Sequence, residues 1–187
     1  MMILIAGTAK SGKSRYAETR LDNLSGSPKI YMAMSKIIDD EMRERVKNHQ
    51  AMRAGKGFVT VEGFVIDEVP RDSAVLIESL TAWTANEMFN DNGAVDRNVV
   101  VKKIFGDILR LRERADDVVI VSDDIFSDGG GYDALTEEYV RALAELTVKI
   151  AGTADEVVEV ISGTAVRLKS SQPHDTEHYH ASNSTQH

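Results

Sequence analysis

Residues 2–14 read MILIAGTAKSGKS, in which an apolar run leads directly into the complete pattern G-x-x-x-x-G-K-[ST]. A buried strand that ends at Gly7 lets the backbone turn tightly, so that successive N–H groups point at a phosphate chain, and the next helix adds its positive dipole end. Lys13 is expected to reach the β- and γ-phosphates, and Ser14 to bind Mg²⁺. The pattern therefore predicts a phosphate loop between a strand and a helix. Its remaining residues are Gly7, Thr8, Ala9, Lys10, Ser11 and Gly12.

The composition is typical of a single globular domain. Of the 187 residues, 42 % are hydrophobic and 28 % are charged, which is enough apolar surface for one core. Cysteine is absent, which excludes disulfides and thiolate metal sites, and no run approaches the roughly 18 apolar residues of a membrane span. The net charge of −8 argues against a surface that coats nucleic acid. Because the chain starts with a core strand and not a signal peptide, we expect a cytoplasmic protein with small-molecule partners.

Short apolar runs alternate with amphipathic stretches along the chain. This alternation predicts an α/β fold, with a mostly parallel central sheet flanked by helices and ligands at the carboxyl ends of its strands. Only Ser162-Gly163 separates the last two runs, which predicts a tight hairpin that adds an antiparallel strand at the sheet edge. The predicted strands are 3–6, 29–33, 58–61, 74–77, 118–121, 157–161 and 164–168.

The end of the sequence changes character. Residues 170–187, SSQPHDTEHYHASNSTQH, are polar and lack hydrophobic periodicity, so we predict a domain over residues 1–169 and a disordered tail after it. His174, His178 and His180 lie close enough in sequence to bind a transition metal. The tail offers no scaffold that would fix their geometry, which favours solvated disorder.

Acidic residues follow two of the predicted strands. A site for phosphate transfer needs a carboxylate at the end of a neighbouring strand, to hold Mg²⁺ directly or through water. Glu78 ends the run Val75-Leu76-Ile77, and Asp123 and Asp124 end the run that contains Val121. Each is alternatively a solvated strand end or a helix cap. We predict Glu78 as the magnesium ligand beside Ser14.

A helix predicted over residues 39–53 carries a second group of polar side chains. Arg45, His49 and Arg53 recur at i, i+4 and i+8, so one face presents an imidazole between two guanidiniums. Neighbouring positive charge keeps the imidazole neutral and nucleophilic, while guanidiniums suit phosphate oxygens. From spacing alone, a packed histidine beside solvated arginines is the simpler interpretation.

Several segments together resemble a known family, the bifunctional adenosylcobinamide kinase / adenosylcobinamide-phosphate guanylyltransferases of cobalamin biosynthesis. The likeness extends over most of residues 2–169 and includes GTAKSGKSRYAE, YMAMSKIIDDEMRERVKNHQAMR, FVTVE, LIESLTAWTAN and ADEVVEVISGTAVRLK. The second segment is the most specific, because many unrelated proteins have a phosphate loop. The resemblance implies a P-loop NTPase-like (RecA-like) fold, ATP and GTP as substrates, Mg²⁺ as cofactor, and a homo-oligomer such as a trimer.

The resemblance also implies two reactions. The aminopropanol hydroxyl of adenosylcobinamide is phosphorylated by a nucleoside triphosphate, and GMP is then transferred from GTP to that phosphate, giving adenosylcobinamide-GDP and pyrophosphate. In the family the histidine that matches His49 becomes guanylylated, and the flanking arginines match Arg45 and Arg53. Lys13 is the predicted catalytic residue of the loop. Glu62 and Asn86 are further pocket candidates, although an exposed strand-end acid and a helical amide explain them equally well.

The sequence departs from the family in one region. Where the family commonly has N-E-V-G-x-G-I-V-P, residues 123–131 read DDIFSDGGG, with three glycines and no proline. This segment is either a mobile lid or a flexible surface loop. A phosphate-loop kinase for another small molecule, or a non-catalytic nucleotide-binding module, therefore stays open as an alternative function. Trp83, in the matched LTAW segment, is either a core residue or a ligand contact, and packing is the simpler interpretation.

Overall fold

The computed structural model describes residues 1–24, 26–34, 55–90, 93–125 and 132–171. The chain forms nine strands and four α-helices within these ranges. In order they are β1 (Met2–Gly7), α1 (Lys13–Asp22), β2 (Lys29–Ala33), β3 (Phe58–Glu62), β4 (Ala74–Glu78), α2 (Leu80–Met88), β5 (Phe89–Asn90), β6 (Gly93–Ala94), α3 (Arg97–Arg114), β7 (Asp117–Asp123), α4 (Ala134–Thr153), β8 (Glu156–Ile161) and β9 (Thr164–Ser170). A single 3₁₀ turn covers Ile66–Glu68.

Seven strands form one sheet in the order β3-β2-β4-β7-β1-β8-β9. All neighbouring strands run parallel except β8 and β9, which form an antiparallel pair at the edge. The α/β fold and the edge hairpin predicted from the sequence are thus confirmed. Strand β7 lies between β1 and β4, so a side chain at the end of β4 is one strand removed from the end of β1.

Both faces of the sheet are covered, which explains why its strands are almost continuously apolar. On one face, Ile3 and Ile5 of β1 pack in a cluster with Ala17 and Leu21 of α1. On the other face, the cluster contains Leu4 of β1 together with buried residues of α2, α3 and α4. Burial of a large aliphatic side chain contributes about 1.5–3 kcal/mol, so this double covering holds the strand ends in fixed positions.

Three of the helices begin at side-chain caps that are visible in the sequence. Ser79 accepts a hydrogen bond from the Ala82 N–H at the start of α2, Asp96 accepts from Asn98 and Val99 at α3, and Asp133 accepts from Leu135 and Thr136 at α4. Such caps satisfy N–H groups that the helix itself leaves unpaired. Helix α1 differs, because its N-cap is Gly12 and no described side chain caps it.

The last strand extends into the segment predicted as the tail. Strand β9 ends at Ser170, one residue beyond the predicted domain boundary. The tail at 172–187 and the helix predicted over 39–53 lie outside the described residues, so both stay predictions. None of the described helices is long and apolar enough to cross a membrane.

Candidate active site

The phosphate loop, residues 7–14, leaves β1 at a glycine that has no room for a side chain. A Cβ atom at Gly7 would lie 2.6 Å from the Val160 carbonyl oxygen and 2.7 Å from Ser11 Oγ. Lys10 and Gly12 adopt positive φ angles of 60° and 93°, which bend the loop back towards α1. Because the N-terminus of α1 lacks a side-chain cap, its first N–H groups are suited to an anion.

Lys13 folds back across this loop and ends in an ion pair. Its side chain is only 9 % exposed, and Nζ lies 2.7 Å from Asp123 Oδ1. Nζ also donates a hydrogen bond to the Thr8 carbonyl oxygen at 3.2 Å. The ammonium group is therefore held at the loop, where the sequence pattern predicts that it meets the phosphates. The ion pair itself was not predicted from the sequence.

Ser14 and Glu78 are in direct contact, although they are 64 residues apart. The Ser14 hydroxyl donates a hydrogen bond to Glu78 Oε1, across the end of the intervening strand β7. Although part of the Glu78 residue reaches the surface, Oε2 is buried and has no partner among the described residues. The structure thus brings together the two residues that the sequence nominates as magnesium ligands.

The environment of Glu78 disfavours its charged form. Burial is the largest influence and raises the pKa of this carboxyl group above its ordinary value of 4.5. The hydrogen bond from Ser14 and the charge of Lys13 act in the opposite direction, while the charges of Glu18 and Asp123 raise the pKa further. A bound cation would favour the carboxylate and use the unpartnered oxygen.

These two oxygen ligands fit a magnesium ion. A hydroxyl and a carboxylate are hard donors, and Mg²⁺ usually takes one or two protein ligands and completes its shell with phosphate oxygens and water. The described residues contain no group of three or more His, Asp or Glu side chains that could hold a metal by themselves. The site therefore suits a cation that arrives with a phosphorylated ligand, and the roles of Ser14 and Glu78 stay predictions.

The end of β7 forms the far side of this site. The Asp123 N–H donates to Thr81 Oγ1 at 2.9 Å, and the Asp124 N–H donates to the Gly7 carbonyl oxygen at 2.9 Å. Tyr139 of α4 donates to the Thr81 carbonyl oxygen at 3.2 Å, and burial together with the nearby Asp123 charge raises the pKa of Tyr139 to about 12. Asp123, the second acid considered from the sequence, thus forms an ion pair with Lys13. Glu78, in contrast, is hydrogen bonded to Ser14.

Two further candidates lie near the same edge but differ in what they contact. Glu62 is exposed at the end of β3, and the strand register places Glu62 and Glu78 on either side of Ala33. Asn86 of α2 donates through Nδ2 to the Met34 carbonyl oxygen at 2.5 Å, so its amide holds the chain that follows β2. The role of Glu62 as a ligand contact therefore stays a prediction, whereas the described contact of Asn86 is structural.

Trp83 packs in the core, in agreement with the simpler interpretation from the sequence. It is 1 % exposed and stacks against Phe64 with ring centroids 4.5 Å apart. Its Nε1 donates to Glu87 at 3.3 Å. A direct contact between Trp83 and a ligand would require the core to open.

Arg45, His49 and Arg53 lie outside the described residues, so the structure assigns them no position. The described chain does fix where their segment starts. The Met34 N–H donates to the Glu78 carbonyl oxygen at 2.8 Å, which places Met34 at the sheet edge that carries the phosphate loop. The segment 35–54 therefore begins next to Glu78.

One contact of the loop was missed in the sequence. Ser162 and Gly163 both have positive φ angles, 48° and 82°, as a two-residue type I′ turn requires. The Gly163 N–H donates to the Ser11 carbonyl oxygen at 2.9 Å, so this turn braces the phosphate loop. The hairpin was visible in the sequence, but its contact with the loop depends on the pairing of β8 with β1.

The sheet order and the loop pattern define a phosphate-loop α/β protein of the nucleotide-binding class. The family model "Cobinamide kinase / cobinamide phosphate guanyltransferase" matches residues 3–168, and the chain belongs to that family. It is a family of enzymes with kinase and nucleotidyltransferase activities in cobalamin biosynthesis, so the resemblance read from the motifs is confirmed.

Individual relatives agree with this assignment. The chain is 27 % identical to the bifunctional adenosylcobalamin biosynthesis protein CobU of Salmonella typhimurium and 29 % identical to that of Escherichia coli, each over 90 % of this chain and 100 % of the relative. It is 35 % identical to the bifunctional adenosylcobalamin biosynthesis protein CobP of Pseudomonas aeruginosa, over 49 % of this chain and 56 % of the relative.

Proposed function

We propose that this enzyme phosphorylates adenosylcobinamide with ATP or GTP and then transfers GMP from GTP to the new phosphate through a guanylylated His49. The observation that carries the proposal is the contact of Ser14 with Glu78 beside the buried Lys13, at the mouth of the phosphate loop. The family assignment supplies the substrate class. The cytoplasmic location and the homo-oligomer stay predictions from the sequence.

In the kinase step, the acceptor hydroxyl attacks the γ-phosphorus of the triphosphate. A new O–P bond forms, the bond from the γ-phosphorus to the bridging oxygen breaks, the nucleoside diphosphate leaves and the hydroxyl proton passes to solvent. The loop N–H groups and Lys13 stabilise the charge that spreads over the phosphate oxygens. Ser14 and Glu78 would hold Mg²⁺, which supplies Lewis-acid neutralisation of the phosphate oxygens when bound.

In the guanylyl step, neutral His49 attacks the α-phosphorus of GTP. An N–P bond forms, the bond to the bridging oxygen breaks, and pyrophosphate leaves. A phosphate oxygen of the phosphorylated acceptor then attacks the same phosphorus, which yields adenosylcobinamide-GDP and restores His49. The covalent intermediate splits one difficult displacement into two easier ones. Arg45 and Arg53 would bind the phosphates during both displacements.

The positions of Met34 and Glu62 near Glu78 support these two reaction steps. The segment 35–54 that carries His49 starts at Met34, which is hydrogen bonded to the Glu78 backbone. Glu62 is exposed across β2 from Glu78, where it would meet the nucleoside part of a bound nucleotide.

The test is a product assay by liquid chromatography and mass spectrometry, with adenosylcobinamide, Mg²⁺ and either ATP or GTP. Wild type should form the phosphate with a triphosphate and the GDP derivative with GTP. Lys13→Ala should lower phosphorylation at least about 100-fold, because it removes a preorganised charge at the phosphates. His49→Ala should still phosphorylate but form no GDP derivative.

Lys102→Ala, a change at an exposed lysine of α3, is the matched control and should leave both reactions unchanged. If Lys13→Ala kept full turnover, the loop would have no part in the mechanism. If wild type made the phosphate alone, the phosphate-loop kinase alternative would replace the bifunctional enzyme. Tight nucleotide binding without any product would favour the non-catalytic binding module.

A further inference from the structure

The ammonium group of Lys13, which a phosphate chain needs for binding, is already paired with Asp123. Nζ of Lys13 lies 2.7 Å from Asp123 Oδ1, and the Asp123 side chain is 31 % exposed. A triphosphate on the loop must therefore share or take the ammonium group that Asp123 already holds.

Asp123 has little freedom to withdraw when the phosphates arrive. The strand register pairs it with Gly7, the first residue of the loop. Its N–H donates to Thr81 Oγ1 at 2.9 Å, and the next N–H donates to the Gly7 carbonyl oxygen at 2.9 Å. Its Cα thus stays fixed beside the loop, and side-chain rotation can move the carboxylate only a short way.

The other described charges of the site do not offset this carboxylate. Glu78 is hydrogen bonded to Ser14, and Glu18 is close enough for its charge to raise the pKa of Glu78. Glu18 pairs with Lys56 at 2.7 Å and Lys13 with Asp123, while Lys10 of the loop is exposed. A triphosphate without metal would consequently approach the carboxyl groups of Asp123, Glu78 and Glu18 as well as the loop lysines.

We propose that Asp123 makes the phosphate loop selective for metal-complexed triphosphate over the metal-free form. The inference rests on the proposed function in one respect, that the loop binds a triphosphate. Once the phosphates displace Asp123 from Lys13, its charge repels them from the side of β7. Ser14 and Glu78 would hold a divalent cation, whose charge would neutralise the phosphates and so remove most of that repulsion. The carboxylate thereby couples metal binding to nucleotide binding.

The test is calorimetric titration of wild type and Asp123→Asn with the β,γ-imido analogues of ATP and GTP, in excess Mg²⁺ and in EDTA. Asparagine keeps the shape of the side chain and removes its charge. Asp123→Asn should bind the metal-free analogues about tenfold more tightly, the size expected from removing one repulsive charge near the surface. Its affinity for the magnesium complexes should change by less than about threefold.

Asp116→Asn is the matched control, because it removes the same charge from an exposed residue at the other end of β7, about 20 Å away by strand length. Its affinities should equal those of wild type in both conditions. Asparagine could perturb the turn after β7, so Asp123→Ser serves as a second neutral variant. It should show the same tighter binding of the metal-free analogues. Thermal unfolding of each variant monitors the fold.

Three results would overturn the inference. Equal changes in both conditions would mean that the carboxylate does not couple the metal to the nucleotide. Weaker binding of the magnesium complexes alone would mean that Asp123 is a metal ligand. If wild type bound neither analogue in Mg²⁺, the proposed nucleotide site itself would be wrong. That result differs from nucleotide binding without metal selectivity, which would contradict only the role of Asp123.

Discussion

At the scale of single residues, the site depends on a carboxyl group that the fold keeps from ionising easily. Glu78 ends a fully buried strand and has one oxygen hydrogen bonded to Ser14 and the other buried without a described partner. Such a group destabilises the ligand-free fold and becomes favourable when a cation binds. The burial of Glu78 thus lowers the stability of the ligand-free fold, and a magnesium-binding function would explain why such a group is present.

This interpretation predicts how Glu78→Gln changes stability. Burial raises the pKa of Glu78 in the folded state, so between pH 4.5 and that raised value the folded chain binds more protons than the unfolded chain. The free energy of unfolding of wild type therefore falls as pH rises through this window. Glutamine cannot ionise and still accepts from Ser14. The ligand-free variant should be more stable at pH 7 by about 1 kcal/mol, because it removes a buried charge that a single hydrogen bond does not fully compensate.

Urea unfolding at pH 7 and at pH 4 checks this prediction. The stabilisation should be largely lost at pH 4, where the carboxyl group is mostly protonated in both states. Glu62→Gln is the control, because Glu62 is an exposed strand-end acid and should show no such gain. A Glu78→Gln variant that is less stable than wild type at pH 7 would contradict the account.

At the scale of elements, the phosphate loop is held by the strand beside it. The Val160 carbonyl oxygen of β8 lies where a side chain at Gly7 would be, and the β8–β9 turn donates from Gly163 to Ser11. Neither contact involves a side chain, so the fit depends on the backbone path of the sheet. The loop geometry and the edge hairpin consequently form one structural unit.

Gly7→Ala should disrupt this unit. A new Cβ atom 2.6 Å from the Val160 carbonyl oxygen forces β1 and β8 apart, and overpacking of this kind costs about 1–3 kcal/mol. Gly106→Ala is the matched control, since a Cβ atom in this part of α3 meets nothing within 4 Å. It should stabilise the protein by about 0.5–1 kcal/mol. Thermal unfolding of the two variants measures both effects, and equal changes would contradict the packing described for Gly7.

The elements themselves were largely predictable from the sequence. Strands buried on both faces give unbroken apolar runs such as Val75-Leu76-Ile77, and Ser162-Gly163 has the residues that a type I′ turn needs. The bounds of β7 and β8 differ from the predictions by one or two residues, because the strand extends beyond the apolar run at both ends of β7 and at the start of β8.

At the scale of the whole molecule, the strand order decided what the sequence could not predict. Apolar runs identify strands but do not say that β7 lies between β1 and β4. That order brings Glu78 to Ser14 and Asp123 to Lys13, so the two acids face different loop residues. The sequence nominated both acids as metal ligands and gave no signal for the ion pair. The nucleophile predicted from the resemblance lies in segment 35–54, whose start at Met34 is next to the site.

The most direct test of the bifunctional mechanism is mass spectrometry of the intact protein after incubation with Mg²⁺ and GTP. We predict an acid-labile adduct of the mass of GMP on wild type, because a phosphoramidate at His49 is the intermediate that joins the two reactions. His49→Ala should bind GTP and carry no adduct. An unmodified wild type with confirmed GTP binding, or an adduct that persists in His49→Ala, would contradict this mechanism.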